Sequence, residues 1–547
     1  MICKNKKMVK QGFVQGIILL IFSQIIIKLL GLTYKLYLTN KQGFGDSGNA
    51  IYSAGFQIYA LLLTLSSIGV PNAVAKMVSE KNSIGDNKGA HRIFKIAFFI
   101  FSGIGFLCSF ILFKEAKNIS INILQIPEAE KSLIALAPSI FFVSIISVIR
   151  GYFNGMQCMK ATANSQTIEQ LLKTFLTICL VEITCYFFNG NTTLMAASGN
   201  LATTFATMGS FFYLYKFYII RKKDISYNIK QSFKYKRKRS LSIIKDILCI
   251  TVPMSLTSIL ITINKNVDSV TVVRGLKNFL SNDEAIIQYG ILSGKVDTLI
   301  NLPLSFNMAF ATALVPTVSA ALARKNILEV NKKVTFSILT TMLIGVPCTA
   351  GMIVFAEPIL NLLFPNASSG YIVLEIAAFS IVFTMLSQIL NGALQGIGKI
   401  FIPAISLSIG VLVKTILNII LIPISSEKFI LGGVNGAAFA TVICHIIAFF
   451  ISFFVLRKKL KLKLDVHKIL FKPIIATIFM IAALYFTNKI LKCIIIEKLA
   501  TILSILIAII VYILAIVFLK IFGKNEILLL PYGEKILNLM EKIGIQY

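Results

Sequence analysis

Charged residues are scarce in this chain, at 14% of 547 residues against about 25% in soluble domains. Histidine is scarcer still: His91, His445 and His467 stand far apart. Only His445 falls inside an apolar stretch, where it is either a packed core residue or a proton relay. Nine cysteines (Cys3, Cys108, Cys158, Cys179, Cys185, Cys249, Cys348, Cys444 and Cys493) form no C-x-x-C pair. Their spacing suggests neither a disulfide framework nor a zinc site, and they read as small core hydrophobes. Phosphate-loop chemistry is also missing. The nearest strings, Gly396-Ile-Gly-Lys399 and Gly294-Lys295, lack the first glycine and the Ser/Thr that a P-loop needs. There is no H-E-x-x-H and no dinucleotide fingerprint. No catalytic residue, metal or cofactor is therefore expected, and work must draw on an ion gradient, the membrane potential or downhill flow.

Apolar length is abundant. The chain is 56% hydrophobic, with a mean hydropathy of +0.82. Gly16–Ile27, Ile96–Phe113 and Ile502–Leu519 are uncharged apolar runs, and the last two are by themselves about long enough to cross the hydrocarbon as tilted or flanked helices. Period-2 alternation, the mark of a membrane barrel, is absent. The pattern predicts an all-α polytopic membrane protein of about fourteen spans. They fall at approximately 12–34, 50–72, 93–113, 133–153, 165–188, 194–218, 246–264, 289–320, 334–356, 371–393, 402–423, 433–456, 469–488 and 499–520.

The net charge of +31 is placed unevenly. Basic residues fill every second gap between spans, most densely at Arg221, Lys222, Lys223, Lys230, Lys234, Lys236, Arg237, Lys238 and Arg239. This alternation predicts both termini on the cytoplasmic side, beside anionic lipid, and not a nucleic-acid partner. Lys4, Lys6, Lys7 and Lys10 precede an apolar stretch that holds Gln24 and Lys28 without a small-residue cleavage site. The expectation is an uncleaved first span. After Lys524, Ile536, Leu539, Met540 and Ile543 share one helical face, which fits either an interfacial helix or a frayed tail.

An internal repeat divides the spans. Arg150-Gly-Tyr-Phe-Asn-Gly155 lies opposite Asn391-Gly-Ala-Leu-Gln-Gly396 at an offset of 241, and Lys173-Thr174 meets Lys414-Thr415 at the same offset. Val70-Pro71 meets Val315-Pro316 at 245, a shift that a loop insertion absorbs. Matched gaps keep the same side of the membrane, so the copies are parallel. The expected organisation is a six-helix lobe over 1–220, a basic linker over 221–245, and a second six-helix lobe over 246–456. Two further spans over 457–524 and the amphipathic tail over 525–547 follow. A central cavity between two such lobes is the expected alternating-access site.

Ionisable residues inside spans mark functional candidates, because each costs about 2.5–3.5 kcal/mol near the bilayer centre. Lys28 and Lys414 have no counter-charge four residues away on their own helices, whereas Glu169 precedes Lys173 by four. Arg150 lies near the cytoplasmic end of its span and can snorkel there. Ser293, Asp297, Asn301 and Ser305 make a polar stripe that must face protein or water. Unpaired cations favour an anionic substrate. An exporter of organic cations would instead need carboxylates, for which Glu182, Asp268 and Asp297 are the candidates.

Several segments resemble the stage V sporulation protein B group of polysaccharide transporters, within the multidrug/oligosaccharidyl-lipid/polysaccharide flippase superfamily. They are Gly69-Val-Pro-Asn-Ala-Val-Ala-Lys-Met-Val-Ser-Glu80, Arg150-Gly-Tyr-Phe-Asn-Gly-Met-Gln157, Ser165-Gln-Thr-Ile-Glu-Gln170 and Tyr289-Gly-Ile-Leu-Ser-Gly-Lys295. Asn301-Leu-Pro-Leu304, Leu314-Val-Pro316 and Leu394-Gln-Gly-Ile-Gly-Lys399 complete the set. The resemblance implies a MATE-like fold of fourteen helices. It also implies alternating-access movement of a lipid-linked saccharide, with cavity cations holding its pyrophosphate. Lys28, Lys35, Arg150, Lys295 and Lys414 match basic positions of the family, and Lys173 joins them as a headgroup candidate. Glu169, Asp297 and Asn301 are supporting polar residues. Ala161 stands where the family usually has proline, and the segment 42–49 is longer than the family's first external loop.

The reading that follows is a bacterial cell-membrane flippase for an undecaprenyl-pyrophosphate-linked precursor, in spore cortex or cell-wall synthesis. It would act as a monomer, with Na+ or H+ as coupling ion. A cation-coupled drug exporter and a non-transporting scaffold for cell-wall enzymes are the alternatives.

Overall fold

The computed structural model describes residues 13–67, 69–156, 158–232, 239–462 and 465–523. The N-terminal lysines, the tail over 525–547, and Lys234, Lys236, Arg237 and Lys238 of the basic run lie outside these residues. Every regular element described is helical, and the protein is a multi-pass membrane protein. Its residues gather into two compact units, Met1–Thr298 with Asn418–Val434, and Leu299–Leu417 with Asn435–Tyr547.

The first unit holds α1 (Phe13–Asn40), α2 (Gly45–Ser67), α3 (Val70–Ser83), α4 (Asn87–Asn118) and α5 (Glu130–Gly155). It continues through α6 (Met159–Phe187), α7 (Thr192–Lys230), α8 (Ser240–Leu276) and α9 (Asn282–Gly290), ending in a π-helical turn, Ile291–Val296. Helix α10 (Asp297–Ala323) starts at its edge and leads into the second unit. There follow α11 (Ile327–Val354), α12 (Ala356–Leu363), α13 (Tyr371–Ala378) and α14 (Ser380–Gly396). The last helices are α15 (Phe401–Leu421), α16 (Gly433–Leu460), α17 (Lys472–Lys492) and α18 (Glu497–Phe518).

Ten helical stretches among the described residues are long and apolar enough to cross a membrane. The remaining expected spans coincide with α1, α7, α8 and α10, which are 28, 39, 37 and 27 residues long. At about 1.5 Å per residue each exceeds the ~30 Å hydrocarbon thickness. Several boundaries differ from the hydropathy reading, with α1 and α8 running on past 34 and 264 to Asn40 and Leu276. The span expected over 50–72 stops at Ser67, because Gly69 takes φ 88° and Pro71 sits in the first turn of a new helix. Helix α7 runs on to Lys230, so the basic run begins as helix, with Arg221 bonded to Asp224 at 3.1 Å. Lysine and arginine are good helix formers, and nothing in 221–230 breaks the chain.

The internal repeat extends to helix ends. Helices α4 and α11 start 240 residues apart, α6 and α15 start 242 apart, and α5 and α14 end 241 apart. Asp86 and Asn326, the residues before α4 and α11, both cap: their side chains accept from Gly89 N and Glu329 N. The glycines of the repeated string make equivalent contacts within each unit. A Cβ on Gly155 would lie 2.7 Å from the Ala75 carbonyl oxygen and 2.8 Å from Val78 Cβ, and one on Gly396 would lie 2.8 Å from Val318 Cβ. Gly103 faces open space.

These contacts set the sign of a substitution. Alanine gains about 1 kcal/mol of helix propensity over glycine, while overpacking costs about 1–3 kcal/mol. Gly155→Ala and Gly396→Ala are expected to lower the unfolding temperature in detergent, and Gly103→Ala to raise it slightly.

Each unit has its own apolar core. Val74, Phe94, Ile149 and Phe153 centre the first, and Val334, Leu390, Leu394 and Leu456 the second. A buried polar knot ties α10, α11 and α14. Asn307 donates to the Met385 carbonyl (2.8 Å) and to Gln388 Oε1 (2.9 Å), and its Oδ1 accepts from Thr341 at 2.9 Å.

Candidate functional site

Cations collect where α1 packs against α6. Lys28 and Lys35 are seven residues apart on α1, which places them on one face two turns apart. Thr174 Oγ1 on α6 donates to the Leu30 carbonyl at 3.3 Å, and a Cβ on Gly31 would sit only 3.7 Å from Gln170 Nε2. This close approach brings Lys173, on α6, to the same side of α1. The Lys173 ammonium lies 4.6 Å from the Phe56 ring centre and 5.3 Å from that of Tyr34. The Lys35 ammonium lies 4.8 Å over the Tyr52 ring.

Neither Lys35 nor Lys173 has a carboxylate within salt-bridge distance among the described residues. The Lys35 Nζ is buried without a hydrogen-bond partner. Lys173 repels the Lys35 charge and Asp297 attracts it. Aromatic faces return about 0.5–2 kcal/mol per cation. That offsets part of the burial cost and leaves the Lys35 ammonium without a strong acceptor, while Lys173 meets the neutral Tyr34 hydroxyl. Such an arrangement suits an anion with several oxygens.

Lys28 is exposed, and the charged group that acts on it most strongly is another cation, Lys265 of α8. Sequence reasoning missed Lys265. Asp268, three residues on, offers it a counter-charge on its own helix, and its nearness to Lys28 arises only through packing.

The other expected headgroup residues are held differently. Arg150 is clamped: Nη2 meets Glu169 Oε2 at 2.7 Å and Ser210 Oγ at 3.1 Å, while Nε donates to Ser165 Oγ at 2.9 Å. Glu169 thus takes Arg150 and not Lys173, its expected partner one turn away. The guanidinium reaches it from α5 with a planar fork that an ammonium does not have. Lys295 is fully buried and paired with Asp46 at 2.9 Å. Lys414 is 1% exposed inside α15. Asn301 is half-buried on α10, its carbonyl accepting from Ser305 at 2.6 Å.

The carboxylates that a carrier of organic cations would need are engaged. Glu182 accepts from Tyr37 and binds Lys41 at 2.6 Å. Asp268 accepts from Asn418 at 3.1 Å, and that amide also reaches Thr271 Oγ1 at 2.9 Å.

A family model described as polysaccharide biosynthesis protein matches residues 13–322, and the MatE model matches 294–420. The lipid II flippase MurJ of Bacillus subtilis (strain 168) is 24% identical over 460 residues, covering 81% of this chain and 82% of that protein. Stage V sporulation protein B of the same organism is 24% identical over 437 residues, covering 80% and 82%. The solved structure of lipid II flippase MurJ in an inward closed conformation superposes with a TM-score of 0.66. It is 18% identical and covers 92% of this chain and 99% of the other.

Proposed function

Because the chain belongs to the polysaccharide biosynthesis protein family, we propose that it is a flippase for a pyrophosphate-linked lipid saccharide in cell-wall synthesis. The observation that carries this reading is the pair Lys35 and Lys173, whose ammonium groups lie over aromatic rings with no carboxylate within salt-bridge distance among the described residues. A pyrophosphate offers several oxygens to such donors, and charge-assisted hydrogen bonds are roughly twice as strong as neutral ones. Lys28 and Lys265 supply further positive field. The similarity to a lipid II flippase and to a stage V sporulation protein supports an undecaprenyl-type carrier and a place in spore cortex or wall assembly. Both termini are assigned to the cytoplasm from the alternation of basic gaps. The substrate crosses by alternating access, driven by a coupling ion or by the membrane potential.

The test is translocation of fluorescent lipid II by purified protein in vesicles, with and without an imposed potential. Transfer that depends on the protein supports the assignment. Accumulation of organic cation dyes without lipid transfer would replace it with a drug exporter.

A further inference from the structure

One face of α4 changes chemistry along its length. At 3.6 residues per turn, Lys88, Arg92, Lys95, Phe99, Phe106 and Phe110 fall within an arc of about 60°. Phe99 is 76% exposed, Phe106 and Phe110 are exposed too, and Gly103 on the same face meets open space. On a helix long and apolar enough to cross a membrane, so open an apolar face is the side that meets lipid. The basic residues continue that side past Phe99, where hydrocarbon gives way to headgroups.

Helix α8 repeats the pattern beside it. Ile243 and Ile247 pack inward in the same apolar core as Ile93 and Phe94 of α4. Leu241 and Leu248 are exposed on the other side, and exposed Lys245 lies between them there. Arg92, half-buried, joins the two helices at this end, its Nη2 donating to Ser240 Oγ at 2.7 Å.

Acidic residues close in sequence do not neutralise the exposed lysines. Asp86, just before α4, is buried and pairs with Lys81 at 3.1 Å. Asp246 sits about 100° around α8 from Lys245. Among the described residues, no carboxylate lies within salt-bridge distance of Lys88, Lys95 or Lys245. Lysine stems can lie along apolar helix surface and lift their charge to the headgroups. A soluble acidic protein fits this face poorly, because Phe99, one turn from Lys95, already belongs to the lipid-facing side.

We propose that Lys88, Lys95 and Lys245 seat the phosphate headgroup of an anionic phospholipid where α4 adjoins α8. A phosphate held there bridges the two helices beside the Arg92–Ser240 contact. The seat does not depend on which cargo is moved, so its failure and that of the flippase assignment are separate.

The chain contains no tryptophan, so Phe99→Trp supplies a single fluorescent reporter one turn from Lys95. Full-length protein is placed in phosphatidylcholine vesicles with a minor share of phosphatidylglycerol, and one lipid or the other carries brominated, quenching acyl chains. Each cation near an anionic surface contributes about fivefold in affinity, so three give ~100-fold at most. Phosphatidylglycerol is expected to be preferred at this reporter by about 10-fold or more. The variant Lys88→Gln/Lys95→Gln/Lys245→Gln should abolish the preference, and Lys88→Arg/Lys95→Arg/Lys245→Arg should keep it. A Phe110→Trp reporter, about 16 Å farther along α4, should show none.

Equal quenching by the two lipids in the Phe99→Trp protein would overturn the seat and leave the stripe to a soluble acidic partner. So would a preference that survives the glutamine variant, or one of equal size at both reporters. Gel-filtration profiles identify any variant that fails to fold, and the arginine variant still tests the role of charge.

Discussion

The double variant Lys35→Gln/Lys173→Gln is expected to fold like the parent and to lose about 100-fold or more in translocation of a pyrophosphate-linked lipid. Hydrogen bonds to charged groups contribute about 1.5–3 kcal/mol each, so two lost ammonium contacts amount to roughly 100-fold to 10,000-fold at 1.4 kcal/mol per decade. Folding survives because neither lysine holds a carboxylate in place, and the substitutions remove two charges that repel each other. The check has two parts: initial rates of lipid transfer in vesicles, and unfolding temperature in detergent. A variant that loses both in step would mean that the cations support the fold and not the substrate.

Arg150→Gln is expected to behave in the opposite way. Its guanidinium ties α5 to α6 and α7 through Glu169, Ser165 and Ser210. Removing one partner of a fully buried ion pair costs about 3–5 kcal/mol. Glu169 retains 28% exposure, so solvent screens part of that loss, and a cost of about 2–3 kcal/mol is expected. The unfolding temperature should fall by several degrees. Transfer by the surviving folded protein should change far less than in the Lys35/Lys173 variant. Glu169→Gln should destabilise similarly, since it orphans the same guanidinium. A folded Arg150→Gln protein of normal stability with no transfer would return Arg150 to the substrate site.

The contrast between these variants shows where sequence reasoning holds and where it stops. Apolar length, the alternation of basic gaps and the repeated Gly155 and Gly396 strings are properties of the chain read locally. Helix ends recurring 240 to 242 residues apart follow from them. Lys28 was legible as a candidate because a charge inside an apolar run is costly wherever the run packs, whereas Lys35, just past the expected first span, came in only through the family resemblance. Pairing was not legible. The local rule of four residues joined Glu169 to Lys173, whereas the actual partner, Arg150, comes from the neighbouring helix α5. Lys295 meets Asp46 across 249 residues of sequence. No spacing rule links them, and their approach depends on Gly290 and Gly294, which pack against Asp46 and Asn49 and look like ordinary helix glycines in the sequence. Lys265 escaped notice for the same reason.

These pairings narrow the chemistry. Of six cationic candidates, Arg150 and Lys295 spend their charge on carboxylates of the protein itself. Lys35 and Lys173 sit over aromatic rings, Lys173 also meeting the Tyr34 hydroxyl, and the strongest charged influence on Lys28 is another lysine. An anion is what this group of side chains is missing, and the engaged state of Glu182 and Asp268 argues against a cationic cargo.

Headgroup charge is the most direct probe of that claim. Vesicles containing the purified protein would be given two fluorescent polyprenyl saccharides, one linked through pyrophosphate and one through a neutral ether. The parent protein should transfer the pyrophosphate lipid at least about 100-fold faster, the ratio expected for two charge-assisted contacts, and the Lys35→Gln/Lys173→Gln variant should treat the two alike. Equal transfer of both lipids by the parent protein would contradict an anion-holding site.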